Sequence, residues 1–436
     1  MDTEGNHGHI GRIVVGCVLA GLVAAIALVV GPLAGATEHI ITGSVLITFG
    51  VAWGMLAFLS QRWTNQPQRW AIVPAVFMGV TGAIIVLLAP TGNQLGWVWP
   101  PVVVALTIWM VVQSRRSLRS HTRVWVMYPL FAALLFSAFG GAYETYGEAA
   151  DSGRYPMPGR LIDVGGHRLH INCTGTGSPT VVVEPGLGEM SAGMAWITPA
   201  VASSTRVCVY DRAGRGWSDS SSRRDGEQTA ADLHMLLERA GEPGPYVLAG
   251  HSAGGIYVLN FARMYPQDVA GVVLLDSMHP EQYTRIASWP AFYEMFRRAT
   301  GVLPSLSRLG VSRAIAGGSF GDLPQPARDE ERSFSATPRH NRSLRDEFSE
   351  LRTAMDQARE LTSLGDVPLV VVTAQKNAED GWMDAQDQLA TLSSNSVHRV
   401  VADATHDSLV STSNGAAHSS QAIIDVVDSV RVRRNG

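Results

Sequence analysis

The sequence predicts an α/β domain built on a mostly parallel eight-stranded sheet with helices on both faces, preceded by an all-α transmembrane region. Three observations lead to this fold class. Hydrophobic residues make up 46% of the 436 residues and charged residues only 17%, whereas charged residues make up about 25% of typical soluble domains. Long uncharged stretches dominate the first third of the chain. From Arg160 onward, short β-branched runs alternate with segments of helix length.

The first part of the chain contains five apolar stretches. They are Ile13–Ala36, Ile40–Ser60, Trp70–Pro90, Gly96–Val112 and Val124–Gly140. Because a helix crosses a bilayer with about 20 apolar residues, we expect residues 1–145 to form a transmembrane region of about five spans. No Asp, Glu, Lys or Arg lies within these stretches, whereas ion-coupled transporters need such groups at membrane depth. The region is therefore expected to act as an anchor or a packing platform, with a passive contact surface for lipid or a partner as the alternative.

The arginines between the stretches indicate the orientation of this region, because cytoplasmic loops retain an excess of Lys and Arg. They are Arg12, Arg62, Arg69, Arg115, Arg116, Arg119 and Arg123. The intervening loops Thr37–His39 and Thr91–Leu95 contain no Arg or Lys. With the N-terminus in the cytoplasm, five spans place the rest of the chain outside it. The sequence therefore predicts a multi-pass protein of the cell membrane, in contact with the lipid bilayer, whose second part is extracytoplasmic.

The first stretch has an alternative explanation, since Ala34-Gly35-Ala36 resembles a signal-peptidase site. Its apolar core is longer than the roughly 7–15 residues of a signal peptide, which favours an uncleaved span. Cleavage after Ala36 would leave the orientation of the remaining chain unchanged.

The charge and the cysteines of the chain limit its possible partners. The formal net charge of -4 provides no basic field for a nucleic acid. The three cysteines, Cys17, Cys173 and Cys208, show no CxxC spacing of the kind that binds zinc. We therefore expect no nucleic-acid partner and no zinc module. The sequence carries no signal for the oligomeric state.

The second part of the chain, residues 155–436, contains the alternating pattern. The expected strands are Arg160–Val164, Arg168–Cys173, Thr180–Glu184, Val207–Tyr210, Tyr246–Ala249, Gly271–Leu275, Leu369–Thr373 and His398–Val401. The first two form a hairpin, since Gly165-Gly166 supports a tight turn. Helix-length segments such as Gln228–Ala240 and Gly254–Tyr265 separate the others, which is typical of a parallel sheet covered on both faces. An insertion at about residues 279–366 interrupts the pattern.

A serine motif directly follows the fifth expected strand. Gly250-His251-Ser252-Ala253-Gly254 lies between the apolar run Tyr246–Ala249 and a helical segment. In this context, small residues two positions before and after the serine let the strand and the helix approach, and the serine hydroxyl projects above the sheet. The motif predicts that Ser252 is a nucleophile. A glycine-rich structural turn is the alternative.

Residues 160–432 resemble the α/β-hydrolase superfamily in more than this serine. Glu184-Pro185-Gly186-Leu187-Gly188 follows the third expected strand, where relatives place a loop that completes the oxyanion hole. The segment Asp211-Arg212-Ala213-Gly214-Arg215-Gly216-Trp217-Ser218-Asp219 follows the fourth and is similar to the DxxGxGxS turn of many esterases. The insertion lies between strands six and seven, where the superfamily carries its helical lid.

The resemblance implies an oxyanion hole made of two backbone N–H groups. Ala253, the residue after the nucleophile, supplies one, and Leu187 supplies the second. Pro185 departs from the pattern, because many relatives have a histidine before the glycine of this loop.

The superfamily also implies a base and an acid, which follow the serine in the chain order acid, then histidine. His406 lies just after the last expected strand, in Ala402-Asp403-Ala404-Thr405-His406-Asp407, where the base is expected. His398 begins that strand and His418 lies in the final helical stretch, so neither is well placed. We therefore expect His406 to be the base.

Two aspartates are candidates for the acid. Many relatives carry the acid about nine residues beyond the start of strand seven, and that place is occupied by Asn377, which has no negative charge. Asp380 follows three residues later in a polar loop. Asp276 directly follows the sixth strand, the other known placement, so the sheet fixes its position. This favours Asp276, with Asp380 as the alternative.

Together these residues predict a membrane-anchored serine hydrolase that cleaves a small-molecule or lipid-like carboxylic ester through an acyl enzyme. This reaction requires no metal or organic cofactor, and we expect none. The same three side chains would serve a peptidase or amidase, and a non-catalytic ligand-binding receptor on the same fold is a further alternative. Dehalogenases and epoxide hydrolases of the superfamily use an aspartate where Ser252 stands, which disfavours those reactions.

The cysteines Cys173 and Cys208 fall on strands two and four, which are neighbours in the superfamily's sheet order. Buried free thiols are common, whereas an extracytoplasmic location permits a disulfide. The sequence leaves both possibilities open.

Overall fold

The computed structural model describes residues 10–90, 94–118, 125–221 and 225–435. The chain divides into two compact units. The first consists of Met1–Asp151 and Arg297–Ala314, and the second of Ser152–Phe296 and Ile315–Gly436. The assignment of residues 1–145 to a transmembrane region and of 155–436 to a separate domain stays a prediction.

The first unit is helical. Its long helices are α1 (Ile10–Val30), α2 (Glu38–Trp63), α3 (Ile72–Leu88), α4 (Gln94–Ser117) and α5 (Tyr128–Arg154). In the part of the chain that the structure describes, four helical segments are long and apolar enough to cross a membrane. They are Ile10–Val30, Glu38–Trp63, Arg69–Leu88 and Leu95–Ser117.

The fifth expected span, Val124–Gly140, falls on the short helical turn Trp125–Met127 and the first half of α5. Helix α5 is not among the four segments. Val124 lies outside the described residues, as do Arg119 and Arg123 of the expected cytoplasmic loop. The five-span count, and the orientation that depends on it, therefore stays a prediction.

Helices α2 and α3 approach each other so closely that side chains are excluded at their contact. A Cβ atom added to Gly43 would lie 2.6 Å from the backbone oxygen of Gly82, and one added to Gly82 would lie 2.6 Å from that of Gly43. Small residues at such crossings are typical of helices in membranes, where van der Waals contact drives association.

Arginines hold the part of the insertion that belongs to this unit. Arg313 donates to Glu144 at 2.7 Å and to Asp151 at 2.6 Å, both on α5. Arg308 pairs with Glu38 at the start of α2. Because Glu38 and Glu144 are buried, and breaking a buried ion pair costs about 3–5 kcal/mol, these contacts tie the segment firmly to both helices.

The second unit contains an eight-stranded sheet in its described residues, as the sequence predicts. The strands are β1 (Arg160–Asp163), β2 (Arg168–Thr174), β3 (Val181–Glu184), β4 (Val207–Asp211), β5 (Tyr246–His251), β6 (Val269–Leu275), β7 (Leu369–Ala374) and β8 (Ser396–Val401). Their order is β1-β2-β4-β3-β5-β6-β7-β8. The β1–β2 and β2–β4 pairs are antiparallel, and the remaining pairs are parallel.

Helices cover both faces of this sheet. Those outside the insertion are α6 (Ile197–Ala202), α7 (Gly226–Ala240), α8 (Ala253–Met264), α14 (Trp382–Ala390), α15 (Ser408–Ser411) and α16 (Ser413–Asn435). Side chains alternate along a strand, so Val182 of β3 faces one core with α7 and α8. Its neighbours Val181 and Val183 face a second core with α6 and α16. The inner strands β3, β4, β5 and β7 are accordingly buried on both faces, whereas the edge strand β8 is partly exposed.

The insertion between β6 and β7 is helical, as the resemblance implied for a lid. Its helices are α9 (Gln282–Arg285), α10 (Trp289–Arg308), α11 (Val311–Ala316), α12 (Ala327–Ser335) and α13 (Pro338–Ala358). Within the second unit, α13 packs on the sheet core through Phe348 and Leu351, which are fully buried.

Cys173 and Cys208 form a disulfide. They are direct partners in the antiparallel pairing of β2 with β4. Of the two possibilities that the sequence left open, the structure has the disulfide. Cys17 is a buried free thiol in α1.

Candidate active site

Ser252 lies at the sharp turn between β5 and α8. Its φ of 55° and ψ of -124° lie in a region that costs a residue with a side chain roughly 1–3 kcal/mol. Glycines make room for the turn, because a Cβ atom on Gly250 would lie 2.7 Å from the backbone of Gly254. One on Gly254 would collide with the backbone oxygen of Glu184 at the end of β3. The serine motif therefore has the strand–turn–helix setting that it requires.

His406 lies between Ser252 and a carboxylate. Its Nε2 atom is 2.9 Å from the Ser252 hydroxyl, and its Nδ1 atom is 2.6 Å from Oδ2 of Asp276. The His406 side chain is 41% exposed and that of Asp276 only 3%. Hydrogen bonds therefore join the three predicted residues in one series, in which the histidine is accessible to solvent.

Asp276 is held on its other oxygen as well. Oδ1 accepts the backbone N–H of Ala374 at 3.0 Å and the indole N–H of Trp382 at 2.8 Å. The Trp382 ring also lies edge-on to the His406 ring, with centroids 6.3 Å apart. The carboxylate is thus fixed by β7 and α14 and presents one oxygen to the imidazole. Sequence reasoning missed Trp382, because it lies 106 residues beyond Asp276 and no local pattern joins the two residues.

The structure places the alternative acid elsewhere. Asp380 is exposed in the loop after β7, together with Asn377. Both ring nitrogens of His406 face other partners, Ser252 and Asp276.

The two expected oxyanion donors come from adjacent segments. Ala253 begins α8, whose N-terminus adds a favourable dipole for negative charge. Leu187 lies in the loop after β3, and this loop passes beside the serine turn. A Cβ atom on Gly254 would be 2.8 Å from the backbone oxygen of Pro185. The two N–H groups therefore belong to segments in direct contact.

The fold agrees with a comparison against known families. Residues 179–411, more than half of the chain, match a family model described as the alpha/beta hydrolase fold. The chain belongs to the α/β-hydrolase fold family. The resemblance seen in the sequence is thereby confirmed at the level of the family.

Individual relatives are distant. An uncharacterised protein of Schizosaccharomyces pombe is 28% identical over 306 residues, which are 61% of this chain and 55% of the relative. A 2-hydroxy-6-oxo-6-phenylhexa-2,4-dienoate hydrolase of Burkholderia cepacia is 31% identical over 113 residues, 25% of this chain and 39% of the relative. The chain thus spans about half or less of the length of these two relatives.

A similar solved structure is the Cif epoxide hydrolase from Acinetobacter nosocomialis. It has a TM-score of 0.54 and 15% sequence identity, and the match covers 65% of this chain and 96% of that protein. At this identity the similarity shows the fold alone.

Arg212 supports the loop that carries Leu187. Its guanidinium donates to the backbone oxygens of Pro185 at 2.6 Å and Gly186 at 2.7 Å. It also pairs with Glu184 at 2.5 Å and with Glu347 of α13 at 2.6 Å. The sequence motif drew attention to this turn but not to the role of its arginine.

Glu347 joins this arginine to a second one. Its other oxygen accepts from the fully buried Arg215 at 2.5 Å. Burial alone would raise the pKa of Glu347, but the charges of Arg212 and Arg215 outweigh burial and lower it. The insertion is thereby coupled to the turn after β4. Glu347 lies 132 residues beyond Arg215, so no local pattern pointed to it.

Asp211 and His170 form a buried ion pair next to the same turn, with neither side chain exposed. His170 Nδ1 lies 2.8 Å from Asp211 Oδ2 and its Nε2 contacts the backbone oxygen of Pro158. Burial would raise the pKa of Asp211, but His170 lowers it; burial would lower the pKa of His170, but Asp211 raises it. Asp211 also accepts the N–H of Ser191 at 2.6 Å.

This pair is expected to make stability depend on pH. Because folding raises the pKa of His170, protonated His170 stabilises the fold fully below the ordinary histidine pKa of 6.5. This stabilisation is lost as pH rises through the pKa of His170 in the folded protein. Because folding lowers the pKa of Asp211, its carboxylate stabilises the fold fully above the ordinary aspartate pKa of 3.8. This stabilisation is lost as pH falls through the pKa of Asp211 in the folded protein. Asp211→Asn should cost about 3–5 kcal/mol of unfolding free energy at pH 6, and less at pH 9. Denaturant unfolding at both pH values measures this.

A control for this experiment is Asp268→Asn, which removes the charge from the partly exposed contact between Asp268 and His234. Its effect should stay below about 1 kcal/mol at both pH values. An Asp211→Asn deficit that is the same at pH 6 and pH 9 would contradict the linkage.

A second series of a hydroxyl, an imidazole and a carboxylate resembles the first in its distances. Thr373 Oγ1 lies 2.7 Å from His398 Nε2, and His398 Nδ1 lies 2.6 Å from Asp387. Thr373, however, is inside β7 and fully buried, with no turn to present its hydroxyl. Distances alone therefore do not mark a nucleophile, and the turn at Ser252 distinguishes the two.

One group of side chains in the described residues has atoms close enough to hold a metal: Cys173, Cys208 and Glu242. The two cysteines are joined in the disulfide, and Glu242 pairs with Arg206 at 2.5 Å. The donor set therefore does not fit a metal while the disulfide is intact.

Proposed function

We propose that this chain is a membrane-anchored serine hydrolase that cleaves carboxylic esters. One observation carries the proposal: in a member of the α/β-hydrolase fold family, the Ser252 hydroxyl at the strand–helix turn is hydrogen-bonded to His406, which is hydrogen-bonded to the buried Asp276. A serine needs a base, and the base needs an orienting group, before the serine becomes a useful nucleophile.

The reaction proceeds by acyl transfer. His406 Nε2 accepts the proton as Ser252 Oγ attacks the ester carbonyl carbon, and Asp276 stabilises the imidazolium that forms. The N–H groups of Ala253 and Leu187 stabilise the negative carbonyl oxygen. His406 then donates its proton to the departing alkoxide, and water releases the acyl group by the reverse sequence. This chemistry requires no metal or organic cofactor.

The test uses the whole chain of 436 residues in detergent. Turnover is measured with p-nitrophenyl esters of increasing acyl length and with the matching anilides, and covalent labelling with a fluorophosphonate probe. We expect ester turnover and labelling in the wild type, and neither in Ser252→Ala. Turnover of anilides in preference to esters would indicate an amidase. Ester binding without turnover or labelling would indicate a receptor.

The proposed membrane anchor is supported by side chains that the first unit exposes. Large apolar residues of its helices lie on the surface, among them Leu19, Val23, Phe58, Ile84 and Leu87. Apolar patches of this extent are unfavourable in water, whereas lipid accommodates them. The Cys173–Cys208 disulfide supports an extracytoplasmic second unit, because disulfides persist in oxidising compartments.

The orientation depends on α5. With the N-terminus in the cytoplasm, a reporter fused after Ser117, at the end of α4, is expected in the cytoplasm. A reporter fused after Arg154, at the end of α5, is expected outside. An alkaline phosphatase fusion, active only outside the cytoplasm, and a matched green fluorescent protein fusion at each position measure this. Cytoplasmic signals at both positions would contradict the fifth span and the extracytoplasmic placement.

A further inference from the structure

His251, the residue before Ser252, has a ring that contacts two hydrogen-bond acceptors. Its Nδ1 atom is 3.1 Å from Oε2 of Glu189, and its Nε2 atom is 3.3 Å from the backbone oxygen of His406. A carboxylate and a carbonyl oxygen can only accept, so both ring nitrogens donate only when each carries a hydrogen. The contacts of His251 therefore call for an imidazolium, and the ring is almost fully buried.

Glu189 connects this ring to the loop after β3. The same Oε2 atom accepts the backbone N–H of Gly186 at 2.5 Å. A Cβ atom on Gly186 would lie 2.8 Å from that oxygen and 3.0 Å from His251 Nδ1, so the contact depends on the glycine. A continuous series of hydrogen bonds thus runs from Gly186, next to Leu187, through Glu189 and His251 to the backbone of His406.

We propose that Glu189 and His251 are positioning residues, which hold the loop of the oxyanion donor Leu187 and the loop of the base His406 at a fixed separation. This inference rests on the proposed hydrolase function and adds two residues to its machinery. Neither side chain needs to touch the substrate. Their role differs from that of Asp276, which orients the His406 ring, because His251 contacts the His406 backbone.

The electrostatics support an ionised pair. Burial would raise the pKa of Glu189, but the charge of His251 lowers it. Burial would lower the pKa of His251, but Glu189 outweighs burial and raises it. Three other titratable groups face the pair: Asp276 after β6, the His406 ring with its centroid 4.8 Å from that of His251, and Glu331 of α12. The ionised bridge is therefore complete between the lowered pKa of Glu189 and the raised pKa of His251, and it is lost as pH rises through the pKa of His251 in the folded protein.

The test measures the second-order rate of fluorophosphonate labelling, kcat and KM for an ester, and the pH profile of each, with the whole chain of 436 residues in detergent. A displacement of about 1 Å costs up to about 100-fold in rate. Glu189→Gln is expected to lower the labelling rate and kcat by about 10–100-fold with little change in KM. Its loss of activity at alkaline pH should begin at a lower pH, because the carboxylate no longer stabilises the imidazolium.

Two further variants separate positioning from general destabilisation. Glu189→Asp keeps the negative charge. We expect it to return the alkaline limb of the pH profile to the wild-type pH, with full or partial recovery of the labelling rate. The double variant Glu189→Gln/His251→Asn should be no slower than the slower single variant, since the two residues act as one unit.

Asp268→Asn is the matched control. It removes a carboxylate that also lies 3.1 Å from a histidine, His234, at the opposite end of the sheet, where β6 begins. Its labelling rate and pH profile should equal those of the wild type. Wild-type rates in Glu189→Gln and His251→Asn would overturn the inference, and so would reduced rates with an unshifted pH profile. Absence of labelling in the wild type would instead overturn the proposed hydrolase function.

Discussion

Replacing Ser252 by alanine is expected to lower kcat by roughly 10⁶-fold, the loss seen when a serine hydrolase loses its nucleophile. The alanine removes only the oxygen that lies 2.9 Å from His406 Nε2. The strained turn does not depend on that oxygen. Its backbone is held by the hydrogen bond from the N–H of Ser252 to the backbone oxygen of Leu275, and the flanking glycines make room for it. Folding should therefore be intact. Steady-state ester turnover and the thermal unfolding midpoint measure the two effects.

His406→Ala should show a loss of similar size, because the hydroxyl is a poor nucleophile without a base. The two residues act as one unit, so the double variant should be scarcely slower than either single variant. The matched control is His398→Ala. It removes the imidazole that lies between Thr373 and Asp387, and turnover should stay within about tenfold of the wild type. Wild-type turnover in a well-folded Ser252→Ala protein would show that another residue is the nucleophile.

Local sequence was sufficient to predict the eight strands of the second unit. The inner strands of the parallel sheet are buried on both faces and consist mostly of apolar residues, as in Val181–Glu184 and Leu369–Ala374. The turn at Ser252 is equally local, because Gly250 and Gly254 lie within two residues of the serine. In both cases the residues that determine the structure are adjacent in the chain.

Contacts between distant segments could not be predicted in this way. Arg212 and Glu347 are 135 residues apart, and Glu189 and His251 are 62 residues apart. Nothing in the neighbouring sequence distinguishes these charged residues from exposed ones. Only the fold shows that each lies beside an opposite charge. The same holds for Arg297–Ala314, which the sequence placed in the insertion and which belongs to the first unit by its contacts. Periodicity indicates a helix but not the element against which it packs.

The identity of the catalytic acid, Asp276 or Asp380, is the sequence prediction that mutagenesis tests most directly. Asp276→Asn keeps the shape of the side chain and removes its charge. The amide can still accept from Ala374 and Trp382, which bind Oδ1 of the aspartate at 3.0 and 2.8 Å. Towards His406 it presents an NH₂ group, which favours the histidine tautomer that cannot accept the serine proton. In serine proteases this exchange lowers kcat by about 10⁴-fold, and we expect a loss of the same order, with little change in KM.

Two aspartate-to-asparagine variants serve as controls for this prediction. Asp387→Asn alters a carboxylate that is also 2.6 Å from a histidine nitrogen, that of His398, and Asp380→Asn alters the exposed alternative acid. Each should change kcat by less than about tenfold. The decisive comparison is made with kcat and KM measured on one ester for all three variants. A loss in Asp380→Asn with normal turnover in Asp276→Asn would mean that the loop after β7 supplies the acid in the working enzyme, and that the contact between Asp276 and His406 is not used in catalysis.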